Sequence, residues 1–275
     1  MRKRIVTESP KKFTTGIVGV GMVGGALAGV LEKPFLFDSG KKIGSMAEVN
    51  KADIIFISVP TPYDERKKGF DLSIVEEVFK NIEGEKIVVI KSTVVPGTTE
   101  YFQKKYPRHR VLFNPEFLTE VTADQDMRYP DRQIVGYTKE SHSVAGDVIQ
   151  LLPLAPFERI MPATEAEMVK YFNNTWFSTK VVYANQMYDF CKKLDIDYEI
   201  VKEAAAADKR VGRSHLEIFH KGYRGYAGKC LPKDTKALIQ KARAMKMPLA
   251  LLETVDALNE KLLATALHAK KKKKR

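Results

Sequence analysis

Only two of the 275 residues are cysteine and one is tryptophan. Cys191 and Cys230 cannot form a disulfide framework, and neither lies in a C-x-x-C spacing, so a structural zinc site is not expected. The five histidines, His109, His142, His215, His220 and His268, show no metal-ligand spacing, and no metal is assigned. No apolar run approaches the roughly 20 residues of a membrane span. The basic N-terminus lacks the apolar stretch of a signal peptide. Internal repeats are absent, and the only low-complexity segment is the terminal lysine run. These absences exclude a membrane protein, a secreted mini-domain and a disordered chain, and they predict a cytoplasmic location.

Positive charge is in excess, at +12, but unevenly placed. Lys270–Arg275 carry +6 and residues 1–12 carry +4, leaving +2 in the body. A basic patch built into the fold would suggest nucleic acid. Two solvated tails do not, and no specific nucleic-acid partner is expected.

The first half alternates short β-branched runs with helical stretches. Phe13–Val18, Phe35–Asp38, Asp53–Val59, Lys86–Ile90, Val111–Asn114 and Gln133–Tyr137 read as strands. Met22–Leu31 and Leu72–Asn81 read as helices, with Asp71 an N-cap candidate. Continuously apolar strands separated by helices predict a doubly wound parallel sheet covered on both faces. From Thr164 onward the pattern is helical. Thr164 and Glu167 form a capping-box spacing at the head of a helix reaching about Leu194. Further helices are expected over Ile200–Asp208, Asp234–Lys246, and from Pro248 to about His268, with 211–233 as loop. The reading is α/β: a Rossmann-like domain over 13–160 and an all-helical domain over 161–268, between basic tails at 1–12 and 269–275.

Gly19-Val20-Gly21-Met22-Val23-Gly24 is a G-x-G-x-x-G between a strand and a helix. Gly19 permits the turn, Gly21 lets backbone approach a pyrophosphate, and Gly24 lets the helix pack on the sheet. Asp38 ends the next strand, where an acid accepts ribose hydroxyls and repels a 2′-phosphate, so NAD is favoured over NADP. The third and fourth strands end in Pro60-Thr61 and Ser92-Thr93, which offer hydroxyls at the ligand-binding edge of such a sheet.

Three clusters carry candidate chemistry. Glu116 and Glu120 follow a strand four residues apart and would share a face if the segment is helical. Lys170 and Asn174 stand at i and i+4 on the long helix, whose face continues through Phe177, Val181 and Asn185. Gly225-Tyr226-Ala227-Gly228-Lys229-Cys230 brings a thiol to a helix start. There the helix terminus, Lys229 and Lys233 favour thiolate, with Asp234 as N-cap or first-turn acid. Cys191 reads as a buried, inert side chain.

Taken in order, GVGMVG, SVPTP (58–62), KSTVVPGT (91–98), NPEFLTE (114–120), MRYPDRQIVG (127–136), EAEMVKYFNNT (165–175) and GYAGKCLPKD (225–234) resemble the UDP-glucose/GDP-mannose 6-dehydrogenase family. The resemblance runs from about residue 13 to 265. It implies oxidation of a nucleotide sugar's C6 alcohol to a carboxylate with two NAD reduced, Cys230 being the nucleophile. Lys170 would assist the alcohol and its oxyanion, Asn174 the C6 oxygen, Glu116 the hydrolytic water, and Asp234 both water and Lys170. Gly19, Gly21, Met22, Val23, Gly24, Asp38, Pro60, Thr61, Thr93 and Glu120 would hold NAD, Thr93 and Glu120 near its nicotinamide. Phe117, Leu118, Gly225 and Lys233 would contact the sugar nucleotide, and Arg210 would reach it across a homodimer made through the helical domain.

Departures from the family pattern are Ala227, Lys229, Leu231 and Gln186, a short Asp38–Asp53 connection, and an end near the point where family members continue into a nucleotide-binding domain. The resemblance therefore implies a compact form without that domain. A 3-hydroxyacid or 6-phosphogluconate-type dehydrogenase shares the plan but needs no cysteine. A non-catalytic NAD-binding remnant is the remaining alternative.

Overall fold

A computed structural model describes residues 12–64, 69–228 and 230–272. The basic residues up to Lys11, Lys229 and the last three residues lie outside that range. The described chain forms two compact units, one ending at Lys170 and one beginning at Tyr171.

The first unit is built on an eight-stranded sheet. Its strands are β1 (Thr15–Val18), β2 (Phe35–Asp38), β3 (Ile43–Gly44), β4 (Ile54–Ile57), β7 (Ile87–Ile90), β8 (Arg110–Phe113), β9 (Arg132–Tyr137) and β10 (Phe157–Pro162). A separate hairpin pairs β5 (Tyr63–Asp64) with β6 (Gly69–Phe70). Spatial order is β10-β9-β8-β7-β4-β1-β2-β3. The chain thus starts in the middle of the sheet and works outward in both directions, which leaves a crevice beyond the carboxyl end of β1.

Strand side chains alternate between two cores, as a period of two requires. Ile55, Ile57, Val88, Ile90, Val111 and Phe113 face one core. Ile17, Ile54, Phe56, Val89 and Leu112 face the other. Helices α2 (Met46–Val49), α3 (Ser73–Asn81) and α4 (Thr98–Lys105) cover the first face through Val49, Val75, Phe79 and Phe102. Helices α1 (Met22–Ala28), α5 (Ala123–Arg128) and α6 (Ala145–Leu151) cover the second through Leu27, Met127 and Val148. Burial on both faces is why these strands read as continuous apolar runs.

The sheet is mostly, not wholly, parallel. β9 runs antiparallel to β8, and β3 antiparallel to β2. Antiparallel neighbours need no crossover helix: the return from Asp38 to Ile43 has none, while the longer one from Phe113 to Arg132 carries α5. The expected domain boundary at residues 160–161 falls inside β10, an edge strand whose residues are mostly exposed. Helix α7 (Ala163–Lys193) starts directly after it and runs on through the division between the units. Thr164 is therefore inside the first turn and the expected capping box does not form. The Glu167 carboxylate instead accepts from Gly97 N–H at 2.6 Å and from Thr99 N–H and Oγ1 at 2.8 and 2.6 Å.

The second unit contains the rest of α7, α8 (Tyr198–Ala206), α9 (Leu231–Ala244), α10 (Ala250–Lys272), and a small hairpin of β11 (Phe219–His220) and β12 (Tyr223–Arg224) inside the expected loop. α10 extends past the expected end at His268, so the lysine run begins within a helix. Two apolar clusters hold this unit, one around Ala184, Cys191 and Tyr198 and one around Val181, Val182, Tyr226 and Val255. Cys191 is buried, as expected.

Candidate active site

The glycine loop follows β1. Gly19 has φ +90°, and a Cβ there would lie 2.6 Å from the Ser58 carbonyl oxygen. At Gly24 a Cβ would lie 1.9 Å from the Gly19 carbonyl oxygen, so both positions exclude a side chain. Gly21 is different. It is the N-cap of α1, no side chain caps the helix, and a Cβ there would meet nothing within 4 Å. Open space in front of uncapped helix N–H groups is what a phosphate requires. Val23 packs into the core behind the loop, while Met22 is exposed.

Asp38 locks this loop. Its Oδ2 accepts Val20 N–H at 2.8 Å and its Oδ1 accepts Lys41 N–H at 2.9 Å. Lys41 Nζ donates to the Val20 carbonyl at 2.6 Å. Those backbone donors, Lys41 first and then Val20, hold the Asp38 carboxyl below the usual carboxylate range. A cleft of about 490 Å³ opens beside the loop, lined by Gly21, Met22, Gly25 and Ala26 and, across from them, Glu120, Thr122 and Asp124.

At the ends of β4 and β7, hydroxyls tie loops together. Thr61 Oγ1 donates to the Thr93 carbonyl at 2.7 Å and Ser92 Oγ to the Val59 carbonyl at 2.7 Å. These protons are used within the protein, so any ligand meets the lone pairs. Pro60 is exposed beside them.

A buried charge cluster lies beyond β7 and β8. Residues 114–119 are not helical, so Glu116 and Glu120 do not share a helix face as envisaged. Glu120 faces the cleft, whereas Glu116 turns inward. Its Oε1 meets Lys170 Nζ at 2.6 Å, with the two side chains 9% and 8% exposed. Lys170 Nζ also donates to the Glu116 carbonyl at 2.8 Å, and Leu118 N–H donates to Glu116 Oε2 at 2.9 Å. Burial would raise the Glu116 carboxyl, but Lys170, the Leu118 N–H and Lys91 together hold it below its ordinary value. Lys91, which composition did not single out, is fully enclosed and donates to Asn114 Oδ1 at 2.6 Å. Burial pushes its ammonium down to about 8; the Glu116 charge opposes that and the Lys170 charge adds to it. The Phe117 ring packs on the core under the Arg132 guanidinium, 3.8 Å away, and Leu118 packs on the opposite core.

In the second unit, Cys230 is exposed and is the N-cap of α9. Asp234 is in the first turn, not the cap, and is 1% exposed. Asn174 Nδ2 donates to its Oδ2 at 2.5 Å and Lys233 Nζ pairs with its Oδ1 at 2.8 Å. One turn further, Ser178 and Thr235 hydroxyls meet at 2.9 Å. This polar seam between α7 and α9 fixes the helix behind the thiol. Gly225 has φ +83° and lies against Asn259. Arg210 is fully exposed and paired with Asp208 at 2.6 Å.

Residues 39–151 match the family model described as the UDP-glucose/GDP-mannose dehydrogenase family NAD binding domain, and residues 164–261 match the central domain of the same family. The chain belongs to the UDP-glucose/GDP-mannose dehydrogenase family. A UDP-glucose 6-dehydrogenase of Campylobacter jejuni is 35% identical over 218 residues, covering 76% of this chain and 53% of that protein. UDP-glucose 6-dehydrogenase TuaD of Bacillus subtilis is 35% identical over 227 residues, covering 78% and 47%. The chain thus spans about half the length of the curated relatives it matches. A solved UDP-glucose dehydrogenase of the archaeon Pyrobaculum islandicum superposes with a TM-score of 0.76 at 28% identity, over 93% of this chain and 70% of that one. Among the described residues no helix is long and apolar enough to cross a membrane, and no side-chain group has the makings of a metal site.

Proposed function

We propose that this chain is an NAD-dependent dehydrogenase that oxidises the C6 primary alcohol of a nucleotide sugar, UDP-glucose, to a carboxylate. The observation that carries the reading is the exposed Cys230 thiol at the N-terminus of α9, backed one turn later by a buried carboxylate that Asn174 and Lys233 hold. A helix N-terminus favours thiolate, and a first turn fixed through Asp234 aims it.

The glycine loop fits a dinucleotide. Gly21 leaves room for a pyrophosphate, the first N–H groups of α1 are free to bind it, and Asp38 stands at the end of β2 for a ribose. Thr61, Thr93 and Glu120 complete that site. NAD, when bound, supplies a hydride acceptor for each of two oxidations.

The remaining work falls to the chain's own groups. Lys170 holds the C6 oxygen and offsets its developing negative charge, with Asn174 as a second donor. The aldehyde made by the first oxidation is captured when the Cys230 sulfur bonds to its carbon and the thiol proton ends on the oxygen. The second oxidation leaves a thioester on Cys230. Glu116, ionised at neutral pH, takes a proton from water, which cleaves the thioester and returns the thiol. Keeping the aldehyde covalently attached prevents its loss between the two steps.

A homodimer fits the exposed face of α7. Phe172, Trp176, Tyr183 and Phe190 are all more than half exposed and recur at spacings of four and seven along one helix stripe, with exposed Leu194 just beyond its end. Cytoplasmic residence fits a mechanism that needs Cys230 reduced.

The test is to mix the purified protein with NAD and UDP-glucose and count NADH. Two NADH per sugar, lost on Cys230→Ala, supports the proposal. One NADH per substrate, insensitive to that change, favours a simple hydroxyacid-type dehydrogenase. NAD binding without turnover on any nucleotide sugar overturns it in favour of a non-catalytic binder.

A further inference from the structure

Asn259 sits on α10 and is 1% exposed. Its Oδ1 accepts the Tyr226 N–H at 2.7 Å, and its Nδ2 donates to the Tyr226 carbonyl at 2.9 Å. Both ends of one amide are therefore used on one backbone residue, as a neighbouring strand would use its own backbone. Buried peptide groups need such partners, and the loop has no strand to provide them. The fit is close: a Cβ on Gly225 would lie 2.5 Å from Asn259 Oδ1 and 3.2 Å from Leu262 Cβ. Gly225 also needs its φ of +83° to pass. Tyr226 is itself buried, with its hydroxyl 3.4 Å from Asp256 Oδ1.

The consequence lies four residues downstream. Cys230 is held on its C-terminal side by α9, where Asp234 N–H donates to the Cys230 carbonyl at 3.0 Å. On its N-terminal side, four residues back, the Gly225–Tyr226 backbone is clasped by Asn259. Between them Gly228 holds φ +86°, and a Cβ there would meet nothing within 4 Å. We propose that Asn259 is a positioning residue for the Cys230 nucleophile, fixing the near end of the loop that carries the thiol to its target. The proposal rests on the reading of Cys230 given above.

Under that reading the thiol serves the second oxidation and not the first, which separates positioning from general damage. In Asn259→Ala the second NADH should form about tenfold or more slowly while the first stays within about twofold, because a misplaced nucleophile loses orientation and nothing else. Aldehyde should then accumulate and be trappable with hydroxylamine, and KM for UDP-glucose should not move. Asn259→Asp keeps the acceptor for Tyr226 N–H and should recover part of the second rate.

Amide hydrogen exchange gives a readout independent of turnover. The Tyr226 amide should exchange about tenfold faster in Asn259→Ala, with Leu238–Ala242 of α9 unchanged. Equal slowing of both oxidations, unchanged Tyr226 exchange, or loss of protection throughout α9 overturns the proposal. Full two-NADH activity in Cys230→Ala overturns the nucleophile instead, and the exchange experiment then still decides whether Asn259 holds the loop.

Discussion

Replacing Lys170 by methionine removes the cation from an ion pair that water barely reaches. The pair is separated by 2.6 Å, with neither side chain as much as a tenth exposed. At an effective dielectric of about 20 the Coulomb attraction at that distance is about 6 kcal/mol, and taking both ions out of water cancels much of it. What remains in Lys170→Met is a buried carboxylate whose nearest described cation is Lys91. Removing one member of such a pair costs about 3–5 kcal/mol. Removing both, in Glu116→Gln/Lys170→Met, keeps an acceptor for Leu118 N–H and leaves no uncompensated carboxylate, so much of the loss should return.

Urea titration followed by circular dichroism gives each free energy by linear extrapolation. The pH dependence provides a second handle. Glu116 is held low in the folded protein, so its stabilisation is present above the unfolded carboxyl value and lost as pH falls through the folded one. In Lys170→Met burial is no longer outweighed, and protonation relieves the strain. The difference between variant and parent should therefore be large at neutral pH and shrink once acid neutralises the carboxyl in both. A single-variant cost under about 1 kcal/mol at neutral pH, or a double variant no better than the single, would refute a buried, coupled pair.

Other outcomes follow from neighbouring geometry. Gly24→Ala, which places a Cβ 1.9 Å from a carbonyl oxygen, should lower the melting temperature and abolish NAD binding. Gly21→Ala meets open space at an ordinary φ of −77° and should melt normally while binding NAD more weakly, both read by calorimetry. Burial pushes the Glu167 carboxyl up to about 7, against the pull of the Thr99 and Gly97 donors. Its contribution to stability is thus full below the unfolded value and declines as pH rises toward 7, so Glu167→Gln should flatten the melting temperature across that window. Trp176→Asp should convert a dimer to monomer by light scattering, leaving the secondary structure unchanged.

Local rules carried the sequence reading a long way where local geometry decides. The glycine loop was legible because a strand–turn–helix sets its own backbone demands: Gly19 holds φ +90° and Gly24 packs on the Gly19 carbonyl five residues before it. Buried strands were legible because two-sided burial writes an apolar run. What escaped was set by distant partners. Thr164 and Glu167 have the spacing of a cap, yet Glu167 reaches 70 residues back to Gly97. β10 escaped because an exposed edge strand between prolines has no apolar run to show. Short polar helices such as α4 and α5 follow from packing more than from pattern. Glu116 and Lys170 were singled out separately, but only the fold pairs them across 54 residues. Asn259 carries no motif, and Lys91 opens KSTVVPGT without a role assigned to it; the importance of both lies in what surrounds them.

Asp38 complicates any attempt to re-engineer cofactor preference. The usual way to admit a 2′-phosphate is to delete this acid, on the view that it does nothing except greet the ribose. Here both of its oxygens already receive backbone N–H groups, one from inside the glycine loop. Deleting it would unfasten the very turn that must grip the pyrophosphate, weakening either dinucleotide together with the selectivity. A successful design would keep an acceptor at 38, as Asp38→Asn does, and place the new positive charge elsewhere.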